Sequence, residues 1–115
     1  PLTYDYLARP PQLVPLTAEA LPEVSDDHRT LTFRIRPGIL FAPDPAFGGQ
    51  PRELVAQDYV YAVKRYYDPR LASENLYVFQ NARLLGLDEL RREARQAKRP
   101  FDYDREVEGI RALDR

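Results

Sequence analysis

The clearest pattern in the chain is the alternation over Thr30–Arg36. Leu31, Phe33 and Ile35 stand between Thr30, Thr32, Arg34 and Arg36, a period of two that predicts a strand with one apolar face. Ser25-Asp26-Asp27-His28 before it is turn chemistry, so Glu23-Val24 is expected to be the other arm of a hairpin. Pro37-Gly38 ends the strand, Ile39–Phe41 allows a further short one, and Gly48-Gly49-Gln50-Pro51 is a loop. The period then changes. Val55, Tyr59, Ala62, Val63 and Tyr66 form a helical stripe, with Gln57, Asp58, Lys64 and Arg65 on polar positions, predicting a helix over Val55–Tyr67 that Asp68-Pro69 stops. Asp58 near its start and Lys64 and Arg65 near its end suit the helix dipole. A second helix is expected from Leu87 to about Ala97, with an Asp88–Arg92 pair at i,i+4 spacing. Val107, Gly109, Arg111 and Leu113 mark a weak final strand. Strands first, then helices, then a strand give an α+β class, or an α/β-type subdomain: a small mixed or antiparallel sheet with two main helices.

Composition narrows the classes of function. Seventeen Lys+Arg against eighteen Asp+Glu give a formal charge of −1, without the basic excess of a nucleic-acid-binding domain. There is no Cys, which removes disulfides, thiolate metal ligands and a cysteine nucleophile. No apolar run approaches the roughly 20 residues of a membrane-spanning helix. Eight of the eleven prolines lie in residues 1–45, which blocks long helices there and favours extended backbone. Around Leu13–Leu21, Pro15 and Pro22 leave room for one or two helical turns at most. Met is absent and the chain opens Pro1-Leu2-Thr3, so it is expected to be an internal piece of a longer protein.

Candidate chemistry is sparse. His28 is the sole histidine and sits in a polar turn, so a transition-metal site would rest on carboxylates. Ser25 and Ser73 stand in no nucleophile elbow. Asp102, Asp104, Glu106 and Glu108 alternate, but Val107 holds the glycine position and Leu113 the final glutamate position of a calcium loop. The same carboxylates would serve a glycosidase only if two faced each other across a cleft. Arg91, Arg92, Arg95, Lys98 and Arg99 form one basic cluster, which offers an alternative reading as a self-contained module binding an acidic partner. No catalytic residue, metal ligand or cofactor motif is expected.

The order of the segments points further. Ala18-Glu19-Ala20-Leu21-Pro22-Glu23-Val24-Ser25-Asp26-Asp27 leads into Leu31-Thr32-Phe33-Arg34-Ile35-Arg36-Pro37-Gly38-Ile39-Leu40-Phe41. Ala56-Gln57-Asp58-Tyr59-Val60-Tyr61, Lys64-Arg65 and Asp68-Pro69 follow, then Leu85-Gly86-Leu87-Asp88-Glu89 and Glu108-Gly109-Ile110-Arg111-Ala112-Leu113-Asp114. This succession resembles the family 5 extracellular solute-binding proteins, the peptide-type receptors of bacterial ABC importers, over nearly the whole chain. Two departures stand out. The Asp-Gly turn that the family places after its second strand is replaced by Ala42-Pro43-Asp44-Pro45-Ala46-Phe47, and its Thr helix cap by Val55. Losing that cap should cost about 1 kcal/mol.

The resemblance implies a piece of a two-lobed, hinge-closing periplasmic binding protein, with residues 1–115 as a single partial domain, the α/β subdomain inserted in the first lobe. It implies binding and release without catalysis, outside the inner membrane, with a peptide or similar solute as ligand. The ABC permease and the remaining lobes of the parent would be the partners. A loop after the Asp-Pro motif presents ligand contacts in relatives, which makes Glu74, Asn75 and Tyr77 the rim candidates, although Asn75 stands where relatives carry Tyr.

Overall fold

Backbone pairing, rather than a shared core, organises the first half of the chain. The computed structural model describes residues 1–115, and they divide into two units, Pro1–Val55 and Ala56–Arg115. The class is α+β, with two small two-stranded antiparallel sheets and three α-helices.

In the first unit, β1 (Leu2–Asp5) pairs with β2 (Gln12–Pro15) in the register Leu2 opposite Pro15 and Asp5 opposite Gln12. The Pro-rich opening is therefore a hairpin, and no helical turn forms at Leu13–Leu21. The Asp5 carboxylate accepts from the amides of Leu7 and Ala8, which turns the chain away from β1. Pro1, which has a carbonyl to spare at the sheet edge, accepts from the amides of Leu16, Thr17 and Ala18. Ala18 is the one fully buried apolar residue of this unit and bridges Ile35.

The second hairpin forms where the turn residues place it, β3 (Glu23–Val24) against β4 (Leu31–Thr32). Ser25 Oγ donates to Asp27 at 2.6 Å and accepts from the Thr30 amide at 3.0 Å, while His28 takes the left-handed conformation at φ 58°. The Ser25 hydroxyl, followed by the Arg29 amide, holds the Asp27 carboxyl below its ordinary value. The expected strand over Thr30–Arg36 is a correction: only Leu31–Thr32 ladders, and Ile35 returns as a lone bridge. The alternation buries no face fully, since Leu31 is 54 % and Phe33 37 % exposed. Beyond Gly38, Leu40 bridges Glu53, and the amides of Phe41 and Leu54 donate to the carbonyls of Arg52 and Ile39 respectively. Between these arms the substituted loop makes a 3-10 turn, Pro45–Phe47, capped by the Asp44 carboxylate on the Ala46 amide.

The second unit carries the core. It holds α1 (Ala56–Tyr67), α2 (Leu76–Asn81) and α3 (Leu87–Ala97). Tyr67, Leu87, Leu90, Ala94, Phe101 and Val107 are buried together. Helix α3 forms over the expected span, and its buried positions Leu87, Leu90 and Ala94 follow helical spacing. On α1 the buried positions are Val60, Lys64 and Tyr67, so the stripe is rotated from the expected one and only Val63 and Tyr66 of the expected set pack at the core. The reason is Lys64. Its stem lies among apolar groups and its ammonium is satisfied by backbone carbonyls, so a charged residue occupies a core position.

Three further expectations are corrected. Helix α2 forms where none was predicted, with Phe79 stacked on Tyr66 at 4.7 Å between centroids. Asp88 accepts from Gln80 instead of pairing with Arg92, which lies near Glu89 at 3.9 Å. The final strand is reduced to a bridge between Val107 and Ile110, because the chain reverses at Gly109, whose amide donates to the Leu85 carbonyl at 2.8 Å.

Candidate functional site

Helix α1 ends where Asp68 meets Pro69, and that end organises the polar chemistry of the second unit. Asp68 is 1 % exposed, the sort of burial a carboxylate tolerates only when its oxygens are occupied. Here they are. Oδ1 accepts from the Arg70 amide at 3.0 Å and Nε at 3.2 Å, and Oδ2 accepts from Arg70 Nη2 at 2.9 Å and Tyr103 Oη at 2.7 Å. The forked Arg70 contact comes first among the causes that hold the Asp68 carboxyl down to about 2. Burial and then the Asp68 hydrogen bond push the Tyr103 phenol up to about 12.

Lys64, one turn back on α1, faces the same segment. Its Nζ donates to the carbonyls of Tyr103 and Arg105, both at 2.7 Å. The Asp102 carboxylate accepts from the amides of Asp104 and Arg105, so this stretch is a turn held from both sides. The carboxylates at 102–108 thus serve turn geometry and solvent, and no group of three or more His, Asp or Glu side chains is placed to hold a metal ion.

Two hollows lie in this unit. The larger, about 310 Å³, is walled by Pro69, Ala94 and Pro100 and edged by Asp68, Arg70, Lys98 and Arg99. The smaller, about 110 Å³, lies beside Lys64, Asp104 and Glu106. Only the first reaches the roughly 300 Å³ at which small-molecule sites begin. Sequence reasoning grouped Lys98 and Arg99 with the helix but missed Asp68 and Arg70 as their neighbours. The signal available was the Asp68-Pro69-Arg70 stop, a charged turn after an apolar stripe.

The rim candidates lie elsewhere. Glu74 and Asn75 are exposed just before α2 and Tyr77 is 61 % exposed in its first turn; none lines either hollow. Asn75 occupies the N-cap position without a side-chain cap bond. The three are brought together at one helix start and stay open to solvent.

The basic cluster divides by role. Arg91 is committed to the fold, donating to the Tyr67 carbonyl at 2.9 Å, and Glu93 pairs with Arg105. Lys98 and Arg99 make no side-chain hydrogen bond or ion pair. No helix of the chain is long and apolar enough to cross a membrane.

Comparison with known proteins gives one family match: the family described as bacterial extracellular solute-binding proteins, family 5 Middle, matches residues 12–115. No curated protein and no solved structure matches the chain.

Proposed function

Because the chain belongs to the bacterial extracellular solute-binding proteins, family 5, we propose that it is the inserted α/β subdomain of a receptor that captures peptides or similar solutes for an ABC permease. The observation that carries this reading is the extent of the family match. It runs from residue 12 to residue 115, through both units and past every element from β2 onward. A role in solute binding and import follows from the family, with a periplasmic or extracellular location for the parent. The family is in general non-catalytic. Residues 1–115 then form one partial domain of the first lobe, and the other lobes supply most of the ligand cleft.

The first unit favours a part that completes itself against something larger. Its only buried apolar residue is Ala18, while Tyr4, Tyr6, Leu13, Leu21, Val24 and Leu31 are exposed. Exposed apolar groups in this number mark surfaces that other protein covers. In this reading Glu74, Asn75 and Tyr77 stand at the ligand rim, where an exposed Tyr and two polar groups suit a peptide backbone.

The test is a thermal-shift screen of the full-length protein against peptide pools, with sugars, opines, haem and nickel chelates as competing classes. A ligand at about 100 times its Kd stabilises by about 2.7 kcal/mol, a shift of several degrees. A shift with peptides alone supports the peptide reading, and a shift with another class replaces it. A gene that encodes no secretion or lipoprotein signal, and no further lobes beyond these residues, would overturn the receptor reading itself.

A further inference from the structure

The larger hollow of the second unit holds a charge arrangement that the fold does not use up. Three cationic side chains edge it, Arg70, Lys98 and Arg99, against one carboxylate, Asp68. Asp68 is buried and fully engaged, so it fixes Arg70 in place and offers little to a newcomer. Arg70 donates through Nε and Nη2 to that carboxylate, which leaves three of its five guanidinium N–H donors for another acceptor. Lys98 and Arg99 have no side-chain partner at all.

Lys98 adds an independent observation. It closes α3 in the left-handed conformation, at φ 49° and ψ 34°, with its amide donating to the Ala94 carbonyl. Glycine is the residue that takes this helix-ending conformation without strain. Lysine there costs stability relative to glycine, and its side chain is one of those lining the hollow. Two cations without a side-chain partner, beside a third held in place by Asp68 around one hollow, are the observation that points to an anion.

We propose that the hollow edged by Arg70, Lys98 and Arg99 binds a small oxyanion dianion, of the dicarboxylate or phosphate type. The lining carries two more positive than negative charges, which matches a dianion. Pro69, Ala94 and Pro100 supply apolar lining beside the three cations. This site rests on the geometry of the second unit and is independent of the solute carried by the parent.

The experiment is an amide NMR titration of the full-length protein, selectively labelled, with succinate and, separately, with inorganic phosphate, at ionic strength held constant with chloride. Saturable shifts at Pro69-adjacent Arg70 and at Lys98, Arg99 and Phe101 are the expected result. Saturation by succinate identifies the carboxylate source, and saturation by phosphate the phosphate source. Lys98→Gly removes the charge and relieves the left-handed strain together, so it should melt no lower than the parent chain while binding about tenfold more weakly. Arg99→Gln should weaken binding by a similar factor. Absence of saturation with both anions, or affinity unchanged in both variants, would overturn the proposal.

Discussion

Tyr103 donates its phenolic hydrogen to the buried carboxylate of Asp68 at 2.7 Å, tying together groups 35 positions apart in the chain. It is the only hydrogen bond to the Asp68 carboxylate from outside its own turn, the others all coming from Arg70. Tyr67, the neighbour of Asp68, makes the opposite arrangement. It is fully buried, yet its hydroxyl has no hydrogen-bond partner.

These two tyrosines should therefore respond to the same substitution with opposite signs. Tyr103→Phe removes a hydrogen bond to a charged acceptor and should destabilise by about 1.5–3 kcal/mol. Tyr67→Phe removes an unpaired buried hydroxyl, so it should leave stability unchanged or raise it by up to about 1 kcal/mol. Urea denaturation of both variants checks the contrast, and equal losses in the two would contradict it. Ultraviolet titration provides a second reading. Burial, followed by the charge of Asp88, pushes the Tyr67 phenol up to about 12, where Tyr103 also lies, so both should ionise late.

Asp68 should govern the acid limb of stability. Its carboxyl is depressed from 3.8 to about 2, first by the Arg70 hydrogen bonds. A depressed carboxylate contributes stability that is present above the unfolded value and lost as pH falls through the folded one. The window is therefore pH about 4 down to about 2. The shift corresponds to something on the order of 2 kcal/mol, reduced by the solvent exposure of Arg70. Denaturation midpoints measured across that window should fall in the parent chain and be flatter in Asp68→Asn, which is less stable at neutral pH. Parallel acid limbs in the two proteins would assign the loss to other carboxylates.

Lys64 is the residue whose role the sequence conceals. At 2 % exposure its ammonium is spent on the carbonyls of Tyr103 and Arg105. Lys64→Met keeps the stem and removes the donor, leaving two carbonyls poorly satisfied. The loss should be about 2–4 kcal/mol, with faster amide exchange at Asp104 and Arg105. A change within about 0.5 kcal/mol would be that of an ordinary surface lysine and would contradict the buried geometry.

The contrast between Lys64 and α3 shows what pattern reading captures. The bounds of α3 were legible, and its buried Leu87, Leu90 and Ala94 show apolar spacing and burial coinciding there. On α1 the helix was legible and its inward face was not, since a lysine with an apolar stem and two long-range carbonyl partners looks polar in sequence. The Thr30–Arg36 alternation promised a strand, but a strand's face is buried only if another layer covers it, and Leu31 and Phe33 remain exposed. Helix α2 went unseen because Tyr77, Val78 and Phe79 run together without helical spacing. Of the site around Asp68, the helix stop was legible; the Tyr103 contact depends on tertiary structure and was not. Glu74, Asn75 and Tyr77 came from the family resemblance, and no residue pattern singled them out.

Gly109 gives the sharpest steric prediction. Its amide donates to the Leu85 carbonyl, and the two backbones are so close that an added Cβ would stand 2.2 Å from the Leu85 nitrogen and 2.6 Å from the Leu84 carbonyl carbon. These are backbone atoms just ahead of α3, with no flexible side chain to move aside. Gly109→Ala must therefore push the final turn off the Leu84–Leu85 segment, breaking the hydrogen bond and loosening Val107 in the core. The expected loss is about 2–4 kcal/mol. Gly38 is the control of a different kind. An added Cβ there meets nothing within 4 Å, but φ is +80°, so Gly38→Ala should cost only the left-handed strain, about 1–2 kcal/mol. If close approach is what fixes the final turn, Gly109→Ala will be the more damaging change and will speed amide exchange at Leu85 and Ile110, whereas Gly38→Ala will leave those amides unaltered. Equal costs, or protected amides in Gly109→Ala, would show that the turn yields without unpacking the core.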